Sequence, residues 1–120
     1  MNRYTISALV SNKSGVLTRV AALFARRGYN IEALSVCKTE DDSLSRMTIV
    51  LCGDDYILSQ MMKQMDKLID VKKIQRMPEE AVSRELLLVK IKSDEKTRTQ
   101  IFEISQIFRA SVVDVSPEAT

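Results

Sequence analysis

The order in which strand-like and helix-like hydrophobic patterns follow one another constrains the fold of this chain more than any other feature. Apolar residues that alternate with polar ones are typical of strands, and apolar residues spaced by three to four are typical of amphipathic helices. The patterned segments are a strand over 4–10, a helix over 15–27, strands over 31–37 and 45–51, a helix over 56–69 and a strand over 71–77. This order predicts an α+β, ferredoxin-like βαββαβ domain with both helices on one face of a four-stranded antiparallel sheet.

The other face of that sheet has no helix to cover it. A mixture of polar and apolar side chains there predicts that a second copy or another domain covers it. The strand over 31–37 carries few charges and lies at a sheet edge, so we expect it to pair with the same strand of a second chain and form a homodimer. Strict alternation places on the uncovered face Thr5, Ser7, Leu9, Glu32, Leu34 and Val36.

Residues 84–120 restart the pattern of strand and helix. Their apolar residues predict a strand over 86–91, a helix around 101–108 and a further strand over 112–115. A split β-α-β unit also contains a third strand between these two, and this segment has none. We therefore expect either the truncated start of a second domain or a segment that completes its sheet with another chain. The predicted organisation is a first domain at 1–78, a linker at 79–83 and a partial C-terminal α+β domain (βαβ) at 84–120.

Composition and charge exclude several classes of protein. The net charge is +2 and 5% of the residues are aromatic, unlike a nucleic-acid-binding surface built from basic patches and stacking aromatic rings. No apolar run approaches the roughly 18 residues of a membrane span, and the N-terminus lacks the pattern of a signal peptide. We therefore expect a cytoplasmic protein that binds neither nucleic acid nor membrane.

Groups for catalysis or metal binding are scarce. The chain has no histidine, no G-x-S-x-G motif and no glycine-rich phosphate loop. Cys37 and Cys52 lack metal-ligand spacing, and in a hairpin that turns at 41–42 Cys37 lies opposite a residue near Arg46, too far from Cys52 for a disulfide. Acidic residues at 40–42 are interpreted as a solvated loop. We expect no catalytic residue, no metal and no cofactor in this chain, and two free, half-buried thiols.

Residues 11–17 carry the clearest functional signal, because a predicted strand ends there and a predicted helix begins. The first N–H groups of a helix have no intrahelical acceptor and can bind a small carboxylate. Gly15 allows a ligand to approach the backbone, and Asn12 and Ser14 can cap the helix or hydrogen-bond the ligand. Spacing alone favours the simpler interpretation, in which Ser14 is the N-cap and Gly15 only permits a tight turn.

Six segments carry a resemblance to a known family: 12–20 (NKSGVLTRV), 24–32 (FARRGYNIE), 44–50 (LSRMTIV), 84–86, 107–110 and 113–118. They resemble the regulatory small subunit of acetohydroxyacid synthase (acetolactate synthase). The resemblance implies a non-catalytic subunit that activates a separate catalytic large subunit and confers feedback inhibition by valine in branched-chain amino-acid biosynthesis. It also implies that the cofactors, thiamine diphosphate, Mg and FAD, belong to that large subunit. The first three segments are similar to the ACT domain of the family, and the last three are similar to its C-terminal domain.

In this family two ACT domains pair side by side, and the amino acid binds at the seam between the two chains. Ser14 occupies a position where the family usually has proline, which would preset the start of the helix. The alternative interpretation is an ACT-type amino-acid-sensing module of another enzyme or of a transcription regulator. At matching positions the resemblance implies that one chain contacts valine through Asn12, Ser14, Gly15, Val16 and Leu17, and that the other chain closes the site with Asn30 and Ile31.

Overall fold

The computed structural model describes residues 2–119. The chain divides between Ala81 and Val82 into two compact units, here called the N-terminal unit and the C-terminal unit. The order of elements predicted for the N-terminal unit is confirmed. Its elements are β1 (Asn2–Ser11), α1 (Val16–Arg26), β2 (Ile31–Lys38), β3 (Leu44–Gly53), α2 (Asp55–Asp66) and β4 (Val71–Arg76).

The four strands form one antiparallel sheet in the order β2-β3-β1-β4. Every second residue of β1, from Tyr4 to Val10, is buried, as the period of a strand with one apolar face requires. Apolar residues of α1 and α2 pack on that face, with Phe24 and Met61 almost completely buried. The ferredoxin-like α+β fold is therefore confirmed, and its core lies between the sheet and the two helices.

The edge strand β2 contains a β-bulge that alternation did not reveal. Ile31 and Ala33 are two residues apart, whereas their partners on β3 are adjacent, so β2 has one extra residue at Glu32. Beyond the bulge the side chains change faces, and Leu34 and Val36 lie on the helix-covered face. The prediction that Leu34 and Val36 lie on the uncovered face is therefore wrong, because it assumed an unbroken pleat.

The uncovered face is more polar than predicted as a result. Ser7 lies on it and accepts a hydrogen bond from Arg46 of β3. Glu32, within the bulge, pairs with Arg3 at 2.9 Å, and both belong to this face. Leu34 and Val36 are 41% and 40% exposed although they share a face with the core, because they lie at the edge of the sheet.

For the two cysteines the predicted position along the hairpin is confirmed, but the predicted degree of burial is wrong. Cys37 pairs with Arg46 in the β2–β3 register, which confirms the predicted alignment. Both Cys37 and Cys52 are free, as predicted. Both are exposed rather than half-buried, because they lie on the face that no helix covers. Cys52 pairs with Arg3 on that face, and the bulge in β2 turns Cys37 to it.

Residues 82–119, the described part of the C-terminal unit, contain one helix, α3 (Glu95–Ile107). The strands predicted over 86–91 and 112–115 are wrong for the described part of this unit, which has only isolated bridges from Ala119 to Lys92 and Ser116. A strand requires a partner for its backbone groups, and neither segment has a ladder. No residue of α3 is buried.

Candidate functional site

The helix α1 begins at a tight turn, residues 12–15, that lacks a side-chain cap. Gly15 is the N-cap, with φ 86° and ψ −9°, a left-handed conformation that side chains with a Cβ disfavour. The exposed Ser14 makes no capping hydrogen bond, so the interpretation of Ser14 as the N-cap is wrong. Among residues 2–119 no acceptor faces the N–H groups of Leu17 and Thr18. These two donors remain available to a ligand.

Hydrogen bonds anchor the turn to the β2–β3 loop. The N–H of Asn12 donates to the carbonyl of Ser43 at 2.7 Å, and its side-chain amide donates to the carbonyl of Asp42 at 2.9 Å. The Asn12 side-chain oxygen has no donor among the described residues. Asn12 therefore fixes the turn with its nitrogens and leaves an oxygen that can accept a hydrogen bond.

The loop that receives Asn12 is itself held by Asp41. The Asp41 carboxylate accepts hydrogen bonds from the hydroxyl of Ser43 at 2.7 Å and from the backbone N–H of Ser43 at 2.9 Å. These bonds, the hydroxyl's first, hold the pKa of Asp41 below its ordinary value. The acidic residues at 40–42 thus include one with a structural role in the loop, rather than solvated carboxylates alone.

Arg19 stands directly beside Gly15, one turn into α1. A Cβ added to Gly15 would lie 3.1 Å from Nη1 of Arg19, so a side chain there would require the Arg19 guanidinium to move by a few tenths of an ångström. Arg19 is bound in turn by Asp70, between α2 and β4, with Nε 2.8 Å from the carboxylate. Arg19 was not among the site residues predicted from the sequence. Its spacing of four residues from Gly15 places it over the start of the helix and could have indicated it.

The two groups of predicted site residues lie at opposite ends of the sheet within one chain. Ile31 pairs with Leu51, and Leu51 pairs with Tyr4. Tyr4 precedes Ser11, where the turn begins, by seven positions of β1. At roughly 3.3 Å per strand residue this separation is about 23 Å. The structure brings together residues 12–17, but within one chain it does not bring Asn30 and Ile31 to them.

The apolar residues of the predicted site differ in how accessible they are. The side chain of Val16 is 2% exposed and belongs to the core, so only its backbone can meet a ligand. Leu17 is 45% exposed. Ile31 is partly buried against the core, and Asn30 is exposed. Leu17 is therefore the apolar side chain of the predicted site that lies beside the turn and is accessible to a ligand.

Residues 2–119 offer neither a cluster of metal ligands nor a membrane span. No group of three or more His, Cys, Asp or Glu side chains there could hold a metal ion. No helix among them is long and apolar enough to cross a membrane.

Comparison with known sequences connects this chain to one family. Residues 6–73 match the AHAS small subunit-like ACT domain, and residues 84–120 match the small subunit of acetolactate synthase. A probable acetolactate synthase small subunit of Archaeoglobus fulgidus is 50% identical over 117 residues, which cover 98% of this chain and 74% of that protein. The acetolactate synthase small subunit of Mycobacterium avium is 53% identical over 117 residues, 97% of this chain and 70% of that protein.

Solved structures agree with the sequence relatives. The acetolactate synthase small subunit from Thermotoga maritima superposes with a TM-score of 0.85 at 36% identity, covering 99% of this chain and 75% of that one. An ACT domain from the GTP pyrophosphokinase of Chlorobium tepidum, at 14% identity over 62% of this chain and 96% of that one, has a TM-score of 0.53 and shows the fold alone. This chain therefore belongs to the acetolactate synthase small-subunit family, and its N-terminal unit has the ACT fold.

Proposed function

We propose that this regulatory small subunit activates a catalytic acetolactate synthase subunit and makes that enzyme sensitive to valine. The observation that carries the proposal is the uncapped start of α1, where Gly15 in a left-handed conformation leaves the N–H groups of Leu17 and Thr18 without acceptors. Catalysis, and with it thiamine diphosphate, Mg and FAD, belongs to the partner subunit. The present chain contributes the effector site.

Valine has three groups, and the turn offers a complement to each. The carboxylate accepts from the free N–H groups at the start of α1, where the helix dipole also favours a negative charge. The ammonium donates to the side-chain oxygen of Asn12, whose nitrogens are already used. The isopropyl group packs on the exposed side chain of Leu17. Glycine offers the same charges but no apolar group, so it binds more weakly.

A homodimer through β2 completes this site. Antiparallel pairing of two β2 strands about a twofold axis places the start of one strand beside the end of the other. The end of β2 lies at the same end of the sheet as the turn, since Lys38 pairs with Ser45 and Ser11 with Leu44. The partner's Asn30 and Ile31 therefore approach the turn, although about 23 Å separates the two groups within one chain.

The apolar surface of β2 supports the same pairing. The bulge turns Leu34 and Val36 to the helix-covered face, where each is about two-fifths exposed at the sheet edge. In the dimer these side chains pack against the partner, and the unpaired backbone groups of the edge find partners as well. Valine then bridges two chains, and its binding changes their relative packing only if the two arrangements bind it unequally.

The test is calorimetric titration of the purified chain with valine, with glycine as the comparison ligand, alone and after reconstitution with the catalytic subunit. We expect saturable valine binding at one or two sites per dimer, as twofold symmetry allows, and much weaker binding of glycine. If valine binds in neither preparation, the proposal is refuted.

Gly15→Asp tests the position of the site. The new side chain is strained at φ 86°, is crowded by Arg19 and places a carboxylate where that of valine would lie. We expect inhibition by valine to be lost, while Gly15→Ala separates the strain from the charge. Ser59→Asp, on the exposed surface of α2, adds the same charge elsewhere and should leave inhibition intact. Full valine sensitivity in Gly15→Asp would show that the site lies elsewhere.

A further inference from the structure

One residue, Asp70, holds both ends of the turn at 12–15. Its backbone carbonyl accepts the N–H of Ser11 at 2.8 Å, just before the turn. Its carboxylate accepts the Nε–H of Arg19 at 2.8 Å and lies 2.5 Å from Nη2, just after the turn. The Asp70 side chain is 19% exposed, so water competes little for the carboxylate. The orientation of the guanidinium is consequently restricted by two contacts that converge on the same carboxylate oxygen, Oδ2.

The third guanidinium nitrogen of Arg19, Nη1, makes no contact with Asp70. Nη1 has no acceptor among the described residues and would lie 3.1 Å from a Cβ on Gly15. Nε and Nη2 face Asp70, so the free nitrogen is directed to the other side of the planar group, where the turn lies. A cation with open donor positions therefore stands at the place where the proposed effector carries its carboxylate.

We propose that Arg19 determines specificity for an α-carboxylate at this site, through Nη1, and that Asp70 is the positioning residue that holds Arg19 in place. The inference rests on the proposed function and names the side chain that recognises one group of the effector. The Arg19 side chain is 51% exposed, so charge alone is partly screened and the orientation of the guanidinium decides the effect. Lysine keeps the charge but cannot bind Asp70 and the effector with one rigid group.

The experiment compares valine with valinamide, which lacks the carboxylate, by calorimetric titration of the full chain, alone and with the catalytic subunit. We expect Arg19→Gln to weaken valine binding on the order of ten- to hundredfold, the value of a charge-assisted hydrogen bond, and to leave valinamide binding unchanged. Arg19→Lys should give an intermediate Kd for valine. Asp70→Asn should weaken valine binding by less than Arg19→Gln, again without an effect on valinamide.

Lys63→Gln, which removes an exposed cation from α2, is the charge-matched control and should bind both ligands like the unmodified chain. An equal loss of valine and valinamide binding in Arg19→Gln would show that the ion pair only supports the turn, and would overturn the inference. Unchanged valine binding in Arg19→Gln would overturn it as well, while leaving the effector site in place. Absence of valine binding to the unmodified chain in both preparations would instead refute the proposed function.

Discussion

The two units of this chain carry similar hydrophobic patterns, yet only the N-terminal unit buries them. All the buried apolar residues of the described chain lie before residue 72. Helix α1 buries four of its residues, whereas α3, which is longer, buries none. Phe24 is 1% exposed and Phe108 is 78% exposed. A helical period shows which face of a helix is apolar, but burial requires a second element to pack on that face.

Backbone pairing differs between the units in the same way. β1 is paired along both edges, with β3 and with β4, so its apolar side chains form a continuous surface for the helices. In the C-terminal unit the apolar residues of 86–91 have no ladder, and Leu86 is 90% exposed. The difference shows that apolar strand residues form a surface for helices only where their strands are paired into a sheet.

The largest difference expected between the two units is in the rate of amide hydrogen exchange. Amides of β1 should exchange only through global unfolding, which typically costs about 5–15 kcal/mol, while amides of 84–91 should exchange nearly as in an unfolded chain. Exchange measured by mass spectrometry on the full chain resolves the two regions. Equal protection of 84–91 would mean that another chain completes their sheet, and would contradict the comparison.

Substitution of the two phenylalanines is expected to have the next largest effect. Phe24→Ala removes a buried ring from the core and should lower the free energy of unfolding by about 3–5 kcal/mol. Phe108→Ala, at an exposed position of the other unit, should change it by less than about 0.5 kcal/mol. Urea unfolding followed by circular dichroism measures both. Similar losses in the two variants would show that Phe108 is also packed.

The smallest expected effect concerns the cap of α3, which contrasts with the uncapped α1. Asp94 accepts hydrogen bonds from the backbone and side chain of Thr97, which lower the pKa of Asp94. The capped state therefore binds the proton less readily than the unfolded chain does. Its stabilisation is complete above the unfolded pKa of about 3.9 and is lost as the pH falls through the lowered value.

An NMR titration of the Thr97 amide between pH 6 and pH 2 would follow this loss. Its signal should move toward the unfolded position only in the acidic part of that range. Asp94→Asn, which removes the titrating group, should abolish this step, and a step that persists in that variant would assign it to another carboxyl group.

Much of the N-terminal unit could be predicted from the sequence because its local patterns agree with its tertiary contacts. The alternation of β1 and the helical spacing of α1 each describe residues at most four positions apart, and both elements were predicted. The turn before α1 was predicted for the same reason. Its cap was not, because a left-handed Gly15 and a serine cap at Ser14 are both compatible with the sequence.

Contacts between distant residues account for what the sequence did not reveal at the candidate site. Arg19 and Asp70 are 51 positions apart, and no local spacing connects them. The bulge at Glu32 shows only in the register between β2 and β3, yet it decides which face carries Leu34 and Val36. Both features require the assembled sheet.

The sequence by itself determined the order of the strands and helices, the apolar face of β1 and the position of the turn before α1, because these depend on neighbours along the chain. Tertiary structure alone decided the face of β2 beyond its bulge, the guanidinium placed beside Gly15 and the lack of ladder partners in the C-terminal unit. These depend on register and on partners far away in the chain, which local periodicity does not encode.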